Sequence, residues 1–222
     1  MTTVPHSEGV QRKRRVPQQS RSRERVERIL DAAATLVVEQ GVDALSTRGI
    51  AETAGIPVAS LYQYFADKDE ILLALVERDI EAMDAQIAAD LADLDVVSIS
   101  AMVSTTMGAF VKIYHHSPAF VVIWLRGRTN AAVKEFGRAH NRQIARELYE
   151  FAEELGLLAP EAQPLYAELA VEMGDRLFQL AFEEQDEGDP LIIDEAIKLV
   201  TLYLETYANE SGRRGVRLAQ TV

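Results

Sequence analysis

"STRGIAETAGIPVASLYQYFADKDEIL", Ser46 to Leu72, decides how this chain folds. Ser46 is a natural N-cap for a short helix over Thr47–Ala54, and Gly55 stops it. A second short helix is predicted over Val58–Tyr64. Asp67 and Glu70, at capping-box spacing, open a longer helix that runs to about Leu91. Two short helices joined by Gly55-Ile56-Pro57 form a helix-turn-helix. Ala51, Ala54 and Gly55 are small enough for a close crossing. Ile50, Ile56, Leu61 and Phe65 can fill the core between the helices. The second short helix is then presented outward, sized for a DNA major groove.

Working outward, Val26, Ile29, Leu30, Ala33, Leu36 and Val37 recur at helical spacing from Ser22 until Gly41. Residues 1–21 lack an apolar face and read as a flexible basic tail. On the C-terminal side, helical patterns cover about Ser98–His116, Phe120–Leu125 (closed by Gly127), Asn130–Leu155, Pro164–Phe182 and Leu191–Tyr207. Residues 209–222 read as a loose tail. No run has the length and alternation of a β-strand. The expected fold is all-α, with about nine helices.

The chain has 222 residues, no cysteine and a net charge of −12. Without cysteine there is no disulfide, thiolate metal site or thiol nucleophile, and a reducing compartment is compatible. The longest stretch free of charge, Val96–Val111, is too short and polar to span a bilayer. No signal peptide is visible, so a soluble cytoplasmic protein with no membrane partner is expected. The charge is uneven. Residues 1–70 are neutral overall, and the whole excess of acid lies in 71–222. Arg12, Lys13, Arg14, Arg15, Arg21, Arg23, Arg25 and Arg28 cluster at the N-terminal end, where a polyanion would be attracted.

The residues from Ser46 to Leu72, with "RILDAAATLVVEQGVDAL" before them, resemble the DNA-binding signature of the TetR family of transcriptional regulators. Thr47-Arg48-x-Ile50-Ala51, Ala54-Gly55-Ile56, Leu61-Tyr62-x-Tyr64-Phe65 and Lys68 carry the likeness. The resemblance implies that Thr47, Arg48, Tyr62, Tyr64 and Lys68 contact phosphate. It implies that Val58, Ala59, Ser60 and Gln63 face the bases. Gln pairs with adenine, Ser donates or accepts, and small apolar groups suit a thymine methyl. Pro57 and Ala59 depart from the family, which often has a capping hydroxyl and a glycine there. The implied domains are a basic tail 1–21, a DNA-binding domain 22–67 (motif 46–65), a ligand-binding and dimerisation domain 68–208 and a tail 209–222.

The last two long helices are apolar over more than one stripe, which suggests a second packing partner. A copy of the same chain is expected, with Leu169, Met173, Leu177, Ile193, Ile197, Val200 and Leu204 at the interface. Leu199, Leu202 and Tyr203 spill beyond that seam. The resemblance also implies a small-molecule pocket in the body, for which Met102, Met107, Phe110, Tyr114, Phe120, Trp124, Phe136 and Met173 are candidates. Trp124, near Arg126 and Arg128, stands out. His115, His116 and His140 are the metal-ligand candidates. Adjacent histidines point apart on a helix, and no i, i+4 carboxylate completes a set, so neither metal nor cofactor is expected. The implied protein is a dimeric repressor, released from a palindromic operator by a small apolar effector. The rival reading is an all-helical binding protein or enzyme whose head no longer binds DNA. No GxSxG, HExxH or phosphate loop supports an enzyme.

Overall fold

The computed structural model describes residues 16–126 and 130–217. Arg12, Lys13, Arg14 and Arg15 of the basic cluster, Gly127, Arg128 and the last five residues lie outside them. Among the described residues the chain is helical: α1 (Val16–Gln40), α2 (Thr47–Thr53), α3 (Val58–Leu61), α4 (Lys68–Ala92), α5 (Ile99–His116), α6 (Pro118–Phe120), α7 (Ala131–Glu154), α8 (Pro164–Ala181), α9 (Pro190–Glu205) and α10 (Glu210–Arg214).

The head is α1, α2, α3 and the start of α4. Ile29, Ile50, Leu61, Ile71 and Leu72 are fully buried between them, and Phe65 is nearly so. Gly55 takes φ +64 between α2 and α3, a left-handed turn that strains any residue with a Cβ. Ser46 caps α2, its side chain accepting from the Gly49 amide at 3.1 Å. Asp67 caps α4 through the amides of Asp69 and Glu70, both at 2.9 Å. Glu70 reaches back to the Ala66 amide, one residue before the position a capping box would use.

In the body, α7, α8 and α9 pack in sequence, and α5 lies between α4 and α9. The long α4 belongs to both parts. Its Arg78 guanidinium bonds Glu27 (3.2 Å) and Asp31 (2.9 Å) of α1, which ties the linking helix to the head.

Four expectations change. The first helix begins at Val16, inside the supposed tail, because Pro17 suits a first turn and the residues after it are mostly good helix formers. The α3 helix ends at Leu61, and the chain reaches Phe65 through tighter turns, with Gln63 bonding back to Ser60 and Tyr64 to Leu61. The segment after Phe120 is a π-helical turn, Val121–Arg126, which brings Trp124 to Asp175 and Arg126 to the Phe182 carbonyl.

The fourth change concerns the C-terminal tail, which is ordered as far as Arg217. Asn209 caps α10, and its side-chain amide donates to the Gly156 and Leu158 carbonyls at 2.8 and 3.0 Å. The chain then pairs β2 (Val216–Arg217) antiparallel with β1 (Val96–Val97). Strands of two residues leave no alternation to detect, so the sequence carried no sign of them.

Candidate nucleic-acid interface and ligand cavity

The outer surface of the head is built from the two short helices. Leu61 and Phe65 turn inward, which leaves Ala59, Tyr62 and Gln63 exposed. Val58, Ser60, Tyr64 and Lys68 are half-buried at the margin. The Thr47 and Tyr62 hydroxyls meet at 3.0 Å, so two of the residues expected at phosphate converge on one point. Arg48 instead pairs with Glu52 at 3.1 Å, an exposed i, i+4 contact worth only about 0.3–0.5 kcal/mol. A phosphate could displace it at little cost. Pro57 precedes α3 with an extended backbone and makes no side-chain cap bond.

The body contains a cavity of about 90 Å³ between α5, α7 and α8. Of the pocket residues expected from the sequence, it brings together Met102, Met107, Phe110 and Tyr114. Phe120 and Trp124 are not on its wall. Phe120 stacks behind Tyr114 at 5.9 Å, and Trp124 stacks on Phe120 at 5.4 Å. Met173 and Phe136 are half-buried elsewhere. Burial holds the Tyr114 hydroxyl well above the ordinary phenol range, with the Asp175 charge adding to the effect, so it stays protonated. Most of the residues that sequence reasoning missed lie on α7 and α8, among them Asn141, Ile144, Ala170, Gly174, Asp175 and Phe178, while Val103 and Thr106 of α5 and Val200 of α9 complete the wall. Ala170 and Gly174 are the small residues that leave room, and small residues give no binding signal in a sequence.

The three histidines do not gather. His115 bonds the Glu187 carbonyl at 2.9 Å, His116 the Lys112 carbonyl at 2.7 Å, and His140 lies among aromatic rings under Trp124.

Of the residues expected at a dimer seam, Val200 is buried within the protomer and lines the cavity against Gly174. Ile193, Ile197, Leu204, Met173 and Leu177 are half-buried, and Leu169 is exposed. The free apolar surface is Leu165 and Leu180 beside Leu169 on α8, with Leu191, Leu199 and Leu202 on α9. On α9, which packs on α5 and α8, Ala196 and Val200 are buried, and Leu191, Leu199 and Leu202 are exposed.

Residues 29–75 match the family described as bacterial regulatory proteins, tetR family, and residues 97–208 match a tetracyclin repressor-like C-terminal domain. The HTH-type transcriptional repressor KstR of Mycolicibacterium smegmatis is 39% identical over 64 residues, which is 29% of this chain and 31% of that protein. The HTH-type transcriptional repressor KstR2 of Mycobacterium tuberculosis is 29% identical over 114 residues, 51% of this chain and 56% of that one. The matches thus span about a third to a half of these relatives. A TetR-family transcriptional regulator from Streptomyces coelicolor superposes with a TM-score of 0.65 at 29% identity, covering 82% of this chain and 99% of that one. Among the described residues, no helix is long and apolar enough to cross a membrane.

Proposed function

This chain belongs to the TetR family of bacterial regulatory proteins, and we propose that it is a dimeric, ligand-responsive repressor of transcription. The observation that carries the proposal is the outward face of α2 and α3. It presents paired hydroxyls of Thr47 and Tyr62 beside a free Gln63, on helices whose other faces are buried. The hydroxyls, with Arg48, Tyr64 and Lys68, would fix the head on the phosphate backbone. Val58, Ala59, Ser60 and Gln63 would read base edges. One such head reads few bases, so two are needed. The free leucines of α8 and α9 supply a surface on which a second copy can pack, giving heads about 34–36 Å apart or at a multiple of it on a palindromic operator.

An effector acts if it binds better to the conformation that does not fit DNA, with coupling of about 1–3 kcal/mol. The α4 helix is the element through which it would act, because it is clamped to α1 by Arg78 and lies along α5 and α7. The test is selection of a duplex from a random pool, followed by binding titrations in salt. With about 6–10 phosphate contacts per dimer, affinity should fall about 10³–10⁵-fold between 50 and 200 mM salt. Failure to enrich any duplex would refute the reading.

A further inference from the structure

Three cavities lie end to end through the body. The central one, of about 90 Å³, is apolar and bounded by α5, α7 and α8. At one end it shares Asn141 and Asp175 with a wider opening of about 440 Å³, whose rim includes Trp124, Lys134, Arg138 and Arg176. At the other end Met102 and Leu148 separate it from a pocket of about 50 Å³ against Tyr149, Tyr166 and Tyr207.

The polar groups of the wide opening are unequally satisfied. Asp175 accepts from the Trp124 indole at 3.1 Å and from Gln179 at 2.8 Å, and Glu172 accepts from Asn141 at 3.2 Å. Arg138 spends one nitrogen on Glu135, Arg176 reaches the Gln179 side-chain oxygen, and Lys134 makes no hydrogen bond or ion pair among the described residues. The spare capacity is therefore donor capacity with positive charge. Asp175 makes a poor counter-ion for a cation, since burial pushes its carboxyl up, with Glu172 adding repulsion. Deeper in, Thr106 lines the central cavity. It is 6% exposed, and its hydroxyl has no partner among the described residues. A buried hydroxyl left unmet is costly, so this one is an unused handle inside an apolar wall.

We propose that the three cavities are one site for an elongated amphipathic anion, with its apolar body between α5 and α8 and its anionic head at Lys134, Arg138 and Arg176. The proposal rests on the reading of this chain as a ligand-responsive regulator, and it defines the class of its effector. The central cavity, at about 90 Å³, is tighter than an extended alkyl chain needs. The ligand therefore enters as Met102, Met107 and Leu148 turn aside, and unbranched thioether side chains do so readily. Gly137 faces the Trp124 indole so closely that a Cβ there would lie 2.9 Å from the ring. A ligand pressing on Trp124 thus pushes directly on the backbone of α7.

Trp124 is the one tryptophan of the chain and stands on the wall of the wide opening, so its fluorescence reports occupancy. The full-length protein is titrated with sodium dodecanoate, dodecan-1-ol and dodecyltrimethylammonium, each below its micelle concentration. Dodecanoate should bind saturably and about tenfold or more tighter than the alcohol, the scale of one or two charge-assisted hydrogen bonds. The ammonium compound should be weakest. Lys134→Ala, Arg138→Ala and Arg176→Ala combined should abolish the preference and leave the alcohol's affinity unchanged. These side chains are on the surface, and an unchanged melting temperature verifies the fold. Equal affinities for acid and alcohol, preference for the cation, or a preference that survives the triple substitution would overturn the proposal. The same samples are tested on the selected duplex without additive. Duplex binding with no dodecanoate preference removes the effector class alone. Dodecanoate binding with no duplex binding removes the regulator and leaves the site.

Discussion

Oδ1 of Asp84 on α4 and Nε2 of His140 on α7 face one another at 3.6 Å, and neither atom has a hydrogen-bond partner among the described residues. At that distance no hydrogen bond forms, and burial dominates both groups. It pushes the Asp84 carboxyl up to about 6, with repulsion from Glu147 adding to it. It pulls the His140 imidazole down, with Glu147 opposing. The Asp84 contribution to stability is thus complete below its unfolded value of 3.8 and is lost as pH rises through about 6. The His140 contribution runs the other way, being present above 6.5 and lost as pH falls. Asp84→Asn removes only the first of these slopes. The variant should melt higher than the parent protein at about pH 7.5, and the advantage should fade as pH drops towards about 4. Thermal melts at the two pH values decide it, and a difference independent of pH would discard the assignment.

The Arg78 clamp makes a second prediction. Its guanidinium stays charged although burial opposes this, because Asp31, Asp79 and Glu27 surround it. Asp79 is itself buried, and its carboxyl is raised by that burial and held back chiefly by Arg78. Arg78→Met would leave Asp79 uncompensated, costing about 1–3 kcal/mol. Without the arginine, the folded-state pKa of Asp79 rises further. The deficit should therefore be larger at about pH 8 than at about pH 5. Denaturant unfolding at both values checks the magnitude and its sign.

On the proposed reading, Tyr62 and Lys68 position the head and Gln63 reads a base, and substitutions separate the two roles. Tyr62→Phe should weaken binding by a similar factor on every duplex, because a phosphate contact carries no sequence information. Its effect on stability should be within about 0.5 kcal/mol, since Tyr62 is 53% exposed. Lys68→Ala should lower the salt slope by about one contact per protomer, about two for the dimer. Gln63→Ala should instead relax specificity at one base pair, worth about 1–3 kcal/mol. Anisotropy titrations on the selected duplex and its single-base variants distinguish these outcomes. A uniform loss from Gln63→Ala would move that residue to the backbone.

The head was legible in the sequence because its determinants are local. Ser46, Gly55 and Asp67 act within three residues of themselves, and Leu61 and Phe65 are one helical turn apart. The body was legible only on one side. Met102, Met107, Phe110 and Tyr114 are large side chains on a single helix, and they do line the cavity. The opposite wall is made by the smallness of Ala170 and Gly174. Apolar excess on α9 was visible, but not which stripe faced inward. That depends on how α5 and α8 meet it, a relationship between segments far apart in the chain. The β1–β2 pair joins Val96 to Arg217 across nearly the whole body, and no local pattern encodes it.

If a second copy packs on the free leucines, charge placed there should separate the protomers without harming the fold. Leu169 is 49% and Leu202 54% exposed in the single chain, so Leu169→Glu with Leu202→Glu puts charge where the isolated protomer leaves it in water. In a dimer the same carboxylates would be desolvated at an apolar contact. The double variant should therefore sediment as a monomer and keep its helical circular dichroism. Operator affinity should fall by several orders of magnitude, because each head would then bind a half-site alone. Val200→Glu provides the contrast. Val200 is buried against Gly174 inside the protomer, so a charge there should unfold the body rather than release a folded monomer. A double variant that stays dimeric would shift the interface away from the exposed leucines of α8 and α9. A folded monomer from Val200→Glu would place the interface on the Ile193, Ile197, Val200 and Leu204 seam of α9.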